Sequence, residues 1–304
     1  MIFTEPPTLS RSVHDRAAER REDADWLADA WSRGQALVVT PSYSTAVSSG
    51  PRLALLDTAS LPAEVERYFL GVHDDVPLFA VRMPQDLPAG ASGGPGAKPG
   101  PPAGESGQSW EDLRSVGAAL PDLDAGLLTT GVALAHWHDR HPRCPLCGTP
   151  TEIVRAGWTR RCPADGSEHF PRTDPAVIML VHDGGDRCVL GRQASWPPGR
   201  YSILAGFVEP GESLEGAVIR EVDEEVGLAV TDVTYSGSQP WPFPASLMLG
   251  YTARVTGTED LVLRDGELAE ARWVTKEEIR RGDVVALPPP VSIAYRIIAD
   301  WLGS

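Results

Sequence analysis

The sequence predicts an α/β protein whose C-terminal part is an α/β/α sandwich with a mixed sheet, preceded by a cysteine-bearing segment and a small β-rich N-terminal domain. Three observations carry this. From Asp174 onward, apolar runs of strand length alternate with amphipathic helical patterns. Upstream, Cys144, Cys147 and Cys162 lie at metal-ligand spacing. Before them, residues 1 to about 85 mix short apolar runs with turn residues. The expected domains are 1–140, 141–172 and 173–304.

Composition narrows the function. The 304 residues suffice for two domains with a sizeable core. A formal charge of -15 argues against non-specific adhesion to nucleic acid or anionic membrane, which needs clustered Lys and Arg. It leaves room for a locally basic phosphate pocket. There is no apolar run of about 18 residues and no apolar core in the N-terminal stretch, so neither a membrane span nor a secretory signal is expected. Two of the four cysteines form Cys-x-x-Cys, which in an unexported chain favours metal over disulfides. The protein is expected to be cytoplasmic.

In the N-terminal part, Ala36 to Thr40, Leu53 to Leu56 and Leu78 to Val81 read as strands. Residues 86–109 are rich in Gly, Pro and Ser and bury too little apolar surface to offset their ordering entropy, so they read as a disordered insertion loop. Trp110 to Arg140 reads as helical, with Leu127, Leu128, Val132, Leu134, Ala135 and Trp137 as its stripe. Cys144-x2-Cys147-Gly is a metal knuckle, and fourteen residues separate it from Cys162, as in a zinc ribbon. Asp165 stands where the fourth cysteine is expected. An Asp oxygen can ligate Zn²⁺; His169, four residues on, is the other candidate. The competing reading is an empty site whose cysteines pack as small hydrophobes, the reading that holds for Cys188.

Further on, Ala176 to Val181 reads as a buried strand and Cys188 to Gly191 as a returning one. Tyr201 to Ala205 leads into a glycine turn at Gly206. Val230 to Gly237 and Ser246 to Val255 read as strands, Gly266 to Ala271 as a loop, and Lys276 to Arg281 and Val291 to Leu302 as helices. The organising stretch is Gly206 to Leu228. Its helix carries Arg220, Glu221, Glu224 and Glu225, and positions three and four after Glu221 share its face. Stacked carboxylates repel, and a divalent cation of the Mg²⁺ or Mn²⁺ kind is the simplest offset. A solvated acidic helix face is the plain alternative, but it has no need of glycines at both ends.

This stretch resembles the signature of the Nudix hydrolases, Gx5Ex7REUxEExGU with U aliphatic. Gly206, Glu212, Arg220, Glu221, Val222, Glu224, Glu225, Gly227 and Leu228 fill every fixed position. The nonapeptide Ser238 to Ser246, SQPWPFPAS, resembles the motif of the NADH pyrophosphatase family, as do the ribbon upstream and the run Phe170 to Pro175. On its own physics, a three-proline segment is stiff, and Trp241 and Phe243 offer flat faces for a base. The resemblance implies a Nudix α/β/α sandwich with mixed sheet, and a substrate pocket lined by Gln239, Pro240, Trp241, Pro242, Phe243, Pro244, Ala245 and Ser246. It also implies that Phe207 stacks on one ring of a dinucleotide, that Phe170 of a partner subunit covers it in a homodimer, that Ala294 makes a backbone contact, and that Glu267 joins Glu221, Glu224, Glu225 and the Ala205 carbonyl as Mg²⁺ or Mn²⁺ ligands. Arg114 is a candidate cationic contact. Cys144, Cys147, Cys162 and Asp165 or His169 would hold a structural Zn²⁺.

The implied reaction is hydrolysis of the pyrophosphate of NADH or NAD⁺ to NMNH or NMN and AMP, with Glu224 or Glu225 as base and Arg220 orienting a carboxylate. An NAD-capped RNA 5′ end presents the same bond, and the net charge favours weak contact with the RNA body. The competing readings are a Nudix hydrolase of ADP-ribose or nucleotide sugars, and an inactive nucleotide- or nucleic-acid-binding sensor.

Overall fold

The computed structural model describes residues 3–62, 64–83, 107–264 and 266–303. The expected disordered loop lies outside these up to residue 106; its last two residues, Gln108 and Ser109, belong to a strand. In chain order the elements are helix α1 (Ala24–Arg33), strands β1 (Gln35–Val39), β2 (Ser44–Ser48), β3 (Arg52–Leu53), β4 (Leu56–Asp57), β5 (Glu66–His73), β6 (Val76–Arg82) and β7 (Gln108–Asp112), then helices α2 (Leu113–Val116) and α3 (Asp122–Arg140). Short strands β8 (Glu152–Val154), β9 (Thr159–Arg161) and β10 (Glu168–His169) follow. The last part holds β11 (Asp174–His182), β12 (Arg187–Gln193), β13 (Leu204–Phe207), α4 (Leu214–Val226), β14 (Ala229–Trp241), β15 (Ser246–Thr256), β16 (Leu268–Thr275), α5 (Lys276–Arg281) and α6 (Ile293–Gly303).

Two compact units result, and neither is one continuous stretch. The sandwich unit comprises Met1–Ser10, Asp174–Pro240 and Ser246–Ser304; the ribbon unit comprises Arg11–Thr173 and Trp241–Ala245. In the sandwich unit the sheet order is β14-β15-β11-β12-β16, with β13 paired to β11. β11 runs parallel to β15 and antiparallel to β13, so the sheet is mixed. The continuous apolar run of β11 is explained by burial on both faces. Val177, Met179 and Val181 meet the α4 residues Val218, Val222 and Val226. Ile178 and Leu180 share the opposite core with Ile297, Ile298 and Trp301 of α6. Helices therefore cover both faces of the sheet, which is the α/β/α arrangement expected. Each fully buried Val or Ile on these faces contributes about 1.5–3 kcal/mol of transfer free energy.

Within the ribbon unit one sheet has the order β4-β1-β6-β5, with β1 parallel to β6, and another the order β3-β2-β7. Helix α3 is buried around most of its girth and approaches β1 and β6 closely at Gly131, where an added Cβ would lie 3.3 Å from Ala80 and Leu37. Among the described residues, no helix is long and apolar enough to cross a membrane.

Four local expectations differ. Trp110 to Asp112 is strand rather than helix: Trp110 pairs with Ala46 and is 6% exposed, so burial of the indole outweighs the helical pattern. Leu53 to Leu56 is not one strand but the end of β3 and the start of β4. Leu268 to Ala271 is strand, held against β12. Gly206 is not in a turn; it lies inside β13 opposite Val177, and the turn follows at Gly211, whose φ of +98° favours glycine.

Candidate active site and metal centre

Helix α4 starts cleanly because the Ser213 side chain accepts from the Gly216 N–H, and it stops at Gly227, which takes φ of +70°. Its apolar face is buried against the sheet, so its acidic face is directed elsewhere. The acids are not equivalent. Glu225 is 3% exposed. The side chain of Glu221 is 12% exposed and that of Glu224 51%.

Gly206 explains why a glycine opens the motif. A Cβ there would lie 1.9–2.1 Å from the carboxylate atoms of Glu221. Only a glycine lets the strand and the carboxylate approach this closely. The next carbonyl upstream is that of Ala205, paired with Ile178.

Arg220 gathers the acids. Its guanidinium donates to Glu212 at 2.6 and 3.1 Å, to Glu221 at 2.9 Å, to Glu224 at 2.9 Å and to the Phe207 carbonyl at 3.0 Å. The expectation of one carboxylate partner is thus exceeded: there are three. Glu212 also accepts from the Glu209 N–H at 2.7 Å, closing the loop between β13 and α4. Arg220, then the Glu209 N–H, hold the Glu212 carboxyl below the usual range. Glu221 behaves oppositely. Burial pushes its carboxyl up, and the charges of Glu224 and Glu267 add to this against the pull of Arg220. Glu267, exposed just ahead of β16, lies near enough for its charge to act on Glu221.

One guanidinium bonded to Glu212, Glu221 and Glu224, three carboxylates, leaves excess negative charge even before Glu225 and Glu267 are counted. An all-oxygen donor set with one buried carboxylate and a glycine-lined seat fits a hard divalent cation.

The expected pocket residues divide. Phe207 is 61% exposed at the end of β13, its ring available for stacking. Arg114, on α2, lies 4.1 Å from the centroid of the Phe243 ring and 5.4 Å from that of Trp241, and the two rings pack edge to face at 4.9 Å. Arg114 and the aromatic segment are therefore together, within the ribbon unit. Pro242 is buried, and Pro240, Pro244, Ala245 and Ser246 are half-buried. Gln239, expected to offer hydrogen bonds to a ligand, is 0% exposed, and its amide is taken by main-chain groups. Ala294 is 1% exposed, with its N–H donated to Ser292 Oγ at 3.1 Å. Phe170 is 59% exposed and lines a concavity of about 830 Å³ with Trp137, Arg140, Arg143, His169 and Arg172.

The ribbon holds a second donor cluster. Ligand atoms of Cys144, Cys147, Cys162 and Asp165 all lie within 4.8 Å of one another. Cys147 and Cys162 Sγ are 3.5 Å apart, and Cys144 Sγ is 3.5 Å from Asp165 Oδ2. His169 contacts Ser167 Oγ at 3.1 Å instead and is not one of the four. The Ser167 hydroxyl and neighbouring N–H groups draw the Cys144 thiol down to about 6, while burial pushes Cys162 up to about 11. Hydrogen bonds from Ser167 hold Asp165 well below the usual carboxylate range. Three thiol sulfurs and one carboxylate oxygen at this spacing fit Zn²⁺. Cys188 is buried in β12, as expected.

Sequence reasoning missed the Arg220 hub and the seat at Gly206. The motif named both residues, but their contacts join β13 to α4 and are not visible in spacing alone.

Comparison with known families finds three matches: a NUDIX domain over residues 172–300, an NADH pyrophosphatase zinc ribbon domain over 139–170, and an NADH pyrophosphatase-like rudimentary NUDIX domain over 29–137. The last describes the unit that sequence reasoning took as merely β-rich. The chain is 43% identical to the NAD-capped RNA hydrolase NudC of Mycobacterium bovis (strain BCG / Pasteur 1173P2), over 97% of this chain and 94% of that protein. It is 34% identical to the NAD-capped RNA hydrolase NUDT12 of Macaca fascicularis, over 97% of this chain and 73% of that protein.

Proposed function

The chain belongs to the zinc-ribbon NADH pyrophosphatase family of Nudix hydrolases, and from that premise we propose that it hydrolyses the pyrophosphate bond of NADH or NAD⁺, giving NMNH or NMN and AMP. The same cleavage removes the NAD cap from RNA 5′ ends, since the reacting bond is identical. The observation that carries this reading is the complete acid box, folded with the Glu221 carboxylate against Gly206 and Arg220 at its hub.

Glu221, Glu224, Glu225, Glu267 and the Ala205 carbonyl would hold Mg²⁺ or Mn²⁺. Bound there, divalent ions offset the charge of the pyrophosphate and acidify water at neutral pH. Arg220 fixes the carboxylate orientations by hydrogen bonding Glu212, Glu221 and Glu224 at once. Glu225 or Glu224 takes the proton of the attacking water, whose oxygen bonds to one phosphorus as the bridging P–O bond breaks. Phe207 stacks on one ring of the dinucleotide, contributing about 0.5–1.5 kcal/mol beyond burial. Trp241 and Phe243 with Arg114, within the ribbon unit, and Phe170 from a second copy are further groups for contact with the dinucleotide. Cys144, Cys147, Cys162 and Asp165 would hold a structural Zn²⁺. The working unit is a cytoplasmic homodimer, with domains 1–140, 141–172 and 173–304, save that the first ten residues pack with the last of these.

The test is product identification by mass after incubation with NADH and Mg²⁺ or Mn²⁺. NMNH plus AMP from the wild type and their loss in Glu225→Gln are expected. Intact NADH alongside cleaved ADP-ribose would overturn the substrate assignment and keep the reaction class.

A further inference from the structure

The first residues of the chain are stitched into the sandwich unit at the strand that leads to the aromatic motif. The Phe3 N–H donates to the Ser236 carbonyl at 2.9 Å, and Ser10 Oγ to the Ser238 carbonyl at 2.8 Å. Thr8 Oγ1 donates to the Pro290 carbonyl at 3.0 Å. The Phe3 ring lies on Gly237, where an added Cβ would be 2.2 Å from its Cδ2, and the Arg296 guanidinium sits 5.3 Å from the ring centroid. Gln239 joins these contacts. Its Oε1 accepts from the Leu9 N–H at 3.2 Å, and its Nε2 donates to the Val291 carbonyl at 3.0 Å. The residue is 0% exposed. A buried amide stays paired because an unmade bond forfeits its hydration, so both partners are held in place.

We propose that Gln239 is a positioning residue and not a substrate contact: its amide locks β14 to residues 3–10 and to the turn ahead of α6, so residues 3–10 set the path of β14 up to Pro240. Residues far apart in sequence thus act as one clamp on one strand. The kinetic part of the test rests on the pyrophosphatase reading; the exchange part does not.

The experiment uses the full chain with Gln239→Leu, which keeps volume and removes both bonds, with Gly237→Ala, which evicts the Phe3 ring and leaves the Gln239 amide intact, and with the pair combined. Steady-state kinetics on NADH with Mn²⁺ are read beside hydrogen–deuterium exchange of peptides covering residues 3–10 and 289–294. Each single variant is expected to raise KM about tenfold, with kcat changed by no more than about twofold. The combined variant should be no worse than the single ones, because both release the same segment. Exchange of residues 3–10 should accelerate in all three.

A raised KM for Gln239→Leu with unchanged exchange in residues 3–10, and a silent Gly237→Ala, would make Gln239 a substrate contact and overturn the proposal. Unchanged KM and unchanged exchange in both single variants would overturn it as well. Were the wild type inactive on NADH, the functional reading would fall, while accelerated exchange of 3–10 in Gln239→Leu would still support the clamp. Should Gln239→Leu not fold, Ser10→Ala removes one bond at the rim and is read by the same exchange and KM measurements.

Discussion

The molecule carries two clusters of metal-type donors, and they are assembled in different ways. In the ribbon, two turns of the same build face each other. Cys144-Pro-Leu-Cys147-Gly148 and Cys162-Pro-Ala-Asp165-Gly166 each close with a backbone bond from the glycine N–H to the first cysteine carbonyl, at 2.9 Å in both. Gly148 and Gly166 take φ of +77° and +76°. Aspartate therefore stands in the geometric place of a cysteine, because the turn, not the ligand, fixes the position. In the sandwich unit no such local turn supplies the donors. A helix supplies three acids, a loop the fourth, and an arginine on the same helix and a glycine on β13 set their orientation. The difference teaches that a turn-built site tolerates a change of ligand, whereas a site assembled from several elements depends on residues that donate nothing to a metal.

Removing the buried acid breaks the assembled site most. Glu225→Gln should lower kcat by about 10²–10⁴-fold, the usual range for a lost proton-transfer or ligand group, with dinucleotide binding by calorimetry largely kept. Gly206→Ala tests the supporting shell. Its Cβ would meet the Glu221 carboxylate at 1.9–2.1 Å, so the acid must shift. Activity should fall about 10²-fold with circular dichroism unchanged, since misplacement by about 1 Å has that effect. Wild-type turnover in this variant would mean that the close approach of Gly206 to Glu221 does not orient the acid.

The ribbon should show the contrast. Asp165→Cys should retain zinc and resist a chelator longer than the wild type, while Asp165→Ala should lose zinc about 10–100-fold more readily. Metal content after dialysis reads both. Equal zinc retention in all three proteins would mean that Asp165 is not a ligand.

The smallest effect expected is on pH. His138 of α3 contacts the Gly157 carbonyl at 2.9 Å and the Arg160 guanidinium at 2.9 Å, fastening the strands around the ribbon to the helix. Burial, with Arg160 adding to it, lowers its pKa to about 4 from an ordinary 6.5. The folded state therefore refuses a proton that the unfolded chain accepts. Stability from this group is complete above the ordinary value and is lost as pH falls from 6.5 toward 4, by at most about 1.4 kcal/mol per pH unit. Thermal melts of the wild type between pH 7 and about pH 5 should shift down more than those of His138→Gln.

Much was legible because it is local. Helix α5 spans Lys276–Arg281 as expected, since its capping box of Thr275 and Glu278 is written in adjacent residues. The zinc knuckles are legible for the same reason. The misreadings are places where burial decided. Trp110 was drawn into a strand by the core it enters, and Gly206 into β13 by its pairing with Val177. Gln239 resembled a ligand contact by its motif, and its two partners, Leu9 and Val291, lie too far off in sequence for any spacing rule to find.

The sequence by itself determined the reaction class, the acid set and the four knuckle positions, because periodicity and motif spacing act over a few residues. Only the tertiary structure decided that Arg220 serves three acids, that Asp165 and not His169 stands with the three cysteines, and that the chain's first residues belong to the sandwich unit. Those outcomes depend on which distant groups are buried together, and burial is a property of the packed chain.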